Sequence, residues 1–92
     1  FIDFTAAWCV SCQFNKQMTL SSPQVLNAFE ENDVVVLIAD WTNRDDRIAA
    51  AIRGYGAAGI PLYVYYAPGN SEPQILPPII NTRLVVDTVN GG

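Results

Sequence analysis

Cys9 and Cys12 are the only two cysteines of this 92-residue chain, two residues apart in Trp8-Cys9-Val10-Ser11-Cys12. Two thiols at that spacing close into a small disulfide only where the backbone turns tightly, and the first turn of a helix supplies such a turn. The motif therefore asks for a helix beginning at Cys9. The β-branched and aromatic run Phe1 to Thr5 reads as the strand that delivers it. At the helix start, unpaired N–H groups and the positive end of the helix dipole favour a thiolate, which makes Cys9 the expected nucleophile. Cys12, one turn further in, is the expected resolving thiol that breaks a mixed disulfide.

A zinc ion needs four ligands, and with no third cysteine and no histidine the chain offers too few, so no metal is expected. A purely structural disulfide remains the competing reading, although so short a loop gains little stability from closure. The net charge of −4, with only five scattered Lys and Arg, provides no basic stripe for a phosphate backbone, so nucleic acid is not an expected partner. No apolar run reaches the roughly 18 to 20 residues of a membrane helix, so the domain itself is expected to be soluble; a monomer is the expectation, although the sequence leaves the oligomeric state open. The length suits one domain, residues 1–92. It opens on strand-like sequence without Met and closes on Gly91-Gly92, which suggests a domain cut from a longer protein.

Asp3 is the odd residue of the first strand. It is read either as an edge residue facing water or as a buried carboxylate that takes the proton of Cys12. After the motif, Phe14 and Met18 fall at helical spacing and are expected to face the core. Ser22 as N-cap and Pro23 at the first helical position begin a second helix, with Val25, Leu26 and Phe29 turned inward. The continuous apolar run Val34 to Ala39 is expected to be a central strand covered on both faces. Asp40-Trp41-Thr42-Asn43 then lies at its C-terminal end, where open α/β sheets place their sites. Asn43 or Asp45 caps a helix that places Ile48, Ala49 and Ile52 inward and stops at Gly54-Tyr55-Gly56. Ile60-Pro61 precedes the strand Leu62 to Tyr66, and local sequence favours an ordinary trans peptide there. A turn around Pro68-Gly69 returns Gln74-Ile75-Leu76 as an edge hairpin strand. Asn81 caps a last helix with Leu84, Val85 and Val89 inward, ended by Gly91.

This order resembles the thioredoxin family, and within it the C-terminal periplasmic domain of bacterial transmembrane electron carriers of the DsbD type. The residues that carry the resemblance are Ala7 to Cys12, Thr19 to Val25, Ala39 to Asn43 and Gly59-Ile60-Pro61-Leu62-Tyr63. It implies an α/β three-layer sandwich with a central mixed sheet flanked by helices, truncated at the N-terminus. It implies a cis Ile60–Pro61 bond against the disulfide, a substrate-docking surface of Trp8, Val10, Ile60 and Pro61, and Asp3 as the buried acid. It further implies a cofactor-free thiol–disulfide oxidoreductase in the bacterial periplasm, tethered to the inner membrane. Such a domain takes electrons from a membrane-embedded cysteine pair of its own protein and passes them to the parent's N-terminal domain or another protein disulfide. Two alternatives stay open: a binding module of the same shape with a structural Cys9–Cys12 bridge, and an independent oxidant or isomerase.

The chain departs from such relatives at Lys16 and Ala7, positions that are commonly acidic. Less negative charge beside the cysteines is expected to make Cys9 ionise more readily.

Overall fold

The computed structural model describes residues 1–91, so only Gly92 of the closing Gly91-Gly92 lies outside the described residues. Strand β1 (Ile2–Thr5) leads directly into helix α1 (Val10–Asn15), which widens into a π-helical turn over Lys16–Leu20. Helix α2 (Pro23–Glu31), strand β2 (Leu37–Asp40), helix α3 (Asp46–Gly54), strands β3 (Leu62–Tyr65) and β4 (Gln74–Ile75), and helix α4 (Thr82–Val89) follow. The sheet order is β2-β1-β3-β4, with β1 parallel to β2 and antiparallel to β3, and β3 antiparallel to β4.

The helix starts are written locally. Ser22 accepts from the Val25 N–H, Asp45 from Arg47 and Ile48, and Asn81 from Leu84, each meeting donors that the first helical turn leaves unpaired. The stops are local as well: Gly56 and Gly91 take φ of +82° and +79°, where a side chain would be strained.

Helices cover both faces of the sheet. On one face Val25, Ala28 and Phe29 of α2 and Val85 and Val89 of α4 pack against Phe1, Tyr63 and Tyr65. On the other, Ile52 of α3 packs against Phe4, Leu62 and Val64. Strand β3 supplies alternate residues to both cores and is buried along its whole length. The result is the expected three-layer α/β sandwich around a mixed sheet.

Three expectations about facing are corrected. The run Val34 to Ala39 does not form the middle of the sheet: β2 is an edge strand, and Val35, Val36, Leu37 and Ile38 are exposed. Its apolarity marks both faces as water-avoiding, but the pairing places β1 and β3 at the centre. Phe14 and Met18 point outward, at 52% and 62% exposure, while Cys12, Asn15 and Thr19 face the core. The helical rotation of about 100° per residue explains this, because a helix that buries Cys12 turns the residue two positions later nearly opposite. Leu26 is likewise exposed, on the rim of a groove shared with Phe1, Phe29, Val36 and Ile38.

Candidate functional site

Strand β1 ends at Thr5, and the chain turns over Ala6 to Trp8 before entering α1 at Cys9. Cys9 is the N-cap of α1 in an extended conformation, and its Sγ accepts from the Cys12 N–H at 3.2 Å. The Cys9 N–H in turn donates to the Ala6 carbonyl at 3.1 Å, so the loop closes on itself. The two cysteines form a disulfide with their Cα atoms 5.2 Å apart. Cys9 is 7% exposed and Cys12 2%, so the residue at the helix start is the less buried of the two.

Ala6 and Ile60 pack on the pair. The Ile60–Pro61 peptide is cis and leads straight into β3. Gln13 braces the loop from the helix side, its side-chain amide donating to the Ala6 carbonyl at 3.1 Å.

Asp3 lies on the face of β1 that α1 and α2 cover, opposite Tyr63 in register and 7% exposed. Its Oδ1 has no hydrogen-bond partner among the described residues. Burial penalises the charged carboxylate and raises its pKa to about 6, against the opposing pull of the Lys16 ammonium. Lys16 thus acts on Asp3, its charge favouring the carboxylate. Asp3, Ala6, Ala7, Gln13 and Lys16 line one end of a groove of about 750 Å³ whose other walls are Phe1, Leu26, Phe29, Val36 and Ile38.

The remaining expected docking residues are placed as follows. Trp8 is 44% exposed beside Cys9, and Val10 is 83% exposed on the first turn of α1. Ile60 contacts the cysteine cluster, and Pro61 is half-buried beside it in sequence. The turn after β2 holds Trp8 in place. Trp8 Nε1 donates to the Thr42 carbonyl at 3.0 Å, and the Ala7 N–H donates to Thr42 Oγ1 at 2.9 Å. Thr42 is itself held by Asp40, whose carboxylate accepts from both its N–H and its hydroxyl. Those two bonds hold the Asp40 carboxyl below the usual range.

The site is thus a CxxC disulfide at the start of the helix that follows a central strand, with a cis-proline loop against it. The profile described as thioredoxin-like aligns with residues 1–68. The chain belongs to the thioredoxin-like family. It is 32% identical over 74 residues to the thiol:disulfide interchange protein DsbD of Salmonella choleraesuis (strain SC-B67) and to that of Escherichia coli (strain K12). The alignment takes in 79% of this chain but 13% of each of those proteins, so the chain spans a small fraction of these curated relatives. In shape it is similar to the C-terminal domain of DsbD from Neisseria meningitidis. The TM-score is 0.78 against both the reduced and the oxidised form, at 23% and 24% identity, covering 98% of this chain and 76% of that one.

Sequence reasoning missed Asn15. It is fully buried, its amide donating to Tyr63 Oη and the Pro78 carbonyl while its oxygen accepts from the Ile80 N–H. A polar residue three positions after Cys12 was the available signal, masked by the apolar Phe14 beside it. The Arg44 guanidinium, stacked over Trp8, was missed as well. No group of three or more His, Cys, Asp or Glu among the described residues is placed to hold a metal ion. Among the same residues, no helix is long and apolar enough to cross a membrane.

Proposed function

We propose that this domain is a protein-disulfide reductase, with Cys9 as nucleophile, Cys12 as resolving thiol and Asp3 as proton acceptor. The observation that carries the reading is the placement of the cysteine pair: Cys9 is the N-cap of α1, where the helix start favours its thiolate, and is the less buried residue of the two.

In the reduced domain, the Cys9 thiolate attacks one sulfur of a partner disulfide, forming a mixed disulfide and releasing the partner's other sulfur as a thiolate. Cys12 then gives its proton to Asp3, and its sulfur attacks Cys9 Sγ. The Cys9–Cys12 bond forms, the mixed disulfide breaks, and the partner's second sulfur leaves. The proton that Asp3 took from Cys12 and the one that Cys9 released to solvent on ionising balance the two that the partner's sulfurs take up. Two electrons pass from the domain to the partner, and no metal or cofactor is needed. A carboxyl poised near pH 6 suits this shuttle, since it both accepts and returns a proton near neutrality. The docking surface is Trp8, Val10, Ile60 and Pro61, with the Ile60 backbone pairing to the bound chain.

The likeness to the DsbD proteins, of which this chain spans a small part, supports the following proposed setting. The domain is one unit of a longer protein anchored in the inner membrane and works in the bacterial periplasm. It receives electrons from a membrane-embedded cysteine pair and passes them to the parent's N-terminal domain or another protein disulfide. The exposed apolar edge of β2 fits a unit that other parts of its parent cover.

The test is redox equilibration of the Cys9–Cys12 pair against glutathione or dithiothreitol, read by thiol alkylation. A potential of about −270 to −200 mV is expected for a reductant in a relay, whereas about −120 mV indicates an oxidant. A bond that stays closed below about −300 mV makes the disulfide structural and removes the proposal. In parallel, Cys12→Ser is expected to accumulate a mixed disulfide through Cys9, which a structural bridge does not do.

A further inference from the structure

Arg44 occupies the turn between β2 and α3 with φ of +54°, a left-handed conformation that glycine adopts freely and that strains a residue with a side chain. Its N–H closes the turn on the Trp41 carbonyl at 2.9 Å, a bond that any non-proline residue makes. An exposed arginine held at a position suited to glycine points to a task for the side chain. That side chain makes no salt bridge among the described residues, where Arg47 pairs with Asp45 and Arg83 with Asp87. Its guanidinium carbon instead lies 4.4 Å from the ring centroid of Trp8 and 5.2 Å from that of Trp41. The two indoles are 5.9 Å apart and inclined at 55°, so the cation sits against both π-faces.

Trp8 immediately precedes Cys9, and one hydrogen bond, from Nε1 to Thr42, fixes one edge of its ring. That bond fixes one atom of the ring, and the Trp41 indole and the Arg44 guanidinium bear on the rest, so losing the guanidinium frees one side of the ring. We propose that Arg44 is a positioning residue that clamps the Trp8 indole and so preorganises the surface bordering Cys9 for a partner polypeptide. It acts on docking and leaves the sulfur chemistry unchanged. The inference rests on the reading of the cysteine pair as a disulfide reductase.

The experiment is a double-mutant cycle on the whole chain, with insulin as the disulfide probe and dithiothreitol as reductant. It compares wild type, Arg44→Gly, Trp8→Ala and the double variant. Arg44→Gly is expected to lose about fivefold in kcat/KM through KM, the factor that matches one exposed cation–π contact. In the Trp8→Ala background the same change is expected to have no effect. Arg44→Lys, which keeps a cation but not a planar one, is expected to recover part of the loss. The thermal midpoint of Arg44→Gly is expected to equal or exceed that of wild type, because glycine relieves the left-handed strain. Those results would establish a functional role for a residue the fold does not need. An equal loss with and without Trp8, or no loss with Trp8 present, overturns the inference. A wild type that does not reduce insulin at all instead removes the reductase reading, and the inference falls with it.

Discussion

Asp3 carries its charge at a cost. Its carboxyl is raised from 3.8 to about 6 by burial, so folding favours the protonated acid. A raised carboxyl contributes stability that is fully present below its unfolded pKa and lost as pH rises through the folded one. The loss therefore falls between about pH 4 and pH 6, and two pH units correspond to about 3 kcal/mol. Urea unfolding of the oxidised protein at intervals from pH 4 to pH 7 is expected to show this decline. Asp3→Asn is expected to flatten it and to be the more stable protein at pH 7. Equal slopes in the two proteins would exclude Asp3 as the source. The two roles first open to Asp3 differ only in depth, which β1 alone does not state; the depth comes from Tyr63 beside it and from the helices above. Cys9, Cys12, Ser22, Asp45 and Asn81 were legible because each acts on backbone within three residues. Asn15 was not, since its partners lie 48 to 65 residues away.

Among the elements, β2 departs furthest from its sequence. Its apolar run identifies a strand, but strand order depends on which neighbours compete for its two edges. Here β1 takes one edge, and the other pairs with no strand among the described residues. An apolar, unpaired edge is a template for association with another strand. Ile38→Lys, at a position already 61% exposed, is expected to change stability by less than about 0.5 kcal/mol while reducing concentration-dependent self-association. Sedimentation at rising protein concentration checks this; association unchanged by the lysine would place the sticky surface elsewhere. Helix α1 teaches the same lesson, because hydrophobic spacing selected Phe14 and Met18 as inward, whereas the need to seat Cys12 beneath Cys9 set the rotation of the helix.

At the scale of the whole molecule, the two cores share β3, and charge contributes little. The ion pairs Arg47–Asp45 and Arg83–Asp87 are both solvent-exposed, where such pairs add little stability and salt screens them. Raising sodium chloride from about 0.05 to 0.5 M is therefore expected to move the thermal midpoint by no more than about 2 °C. A larger drop in a calorimetric scan would mean that long-range charge holds the fold together. The three-layer class was legible through the resemblance that the order of strands and helices bears to the thioredoxin family, an order that local periodicity sets element by element. Which surfaces stay open was not, since that depends on how the elements are assembled.

The Asn15 and Thr19 side chains fasten the cysteine-bearing helix and the π-helical turn after it to Pro78 and Ile80, more than sixty residues along the sequence. Synthesis runs from the N-terminus, so the cysteines leave the ribosome some seventy residues before the carbonyls that lock their helix in place. Until that segment arrives, both thiols belong to a nascent chain whose helix is not yet fastened. The order in which the polypeptide is made thus leaves the cysteine-bearing helix waiting on a distant segment for its fastening.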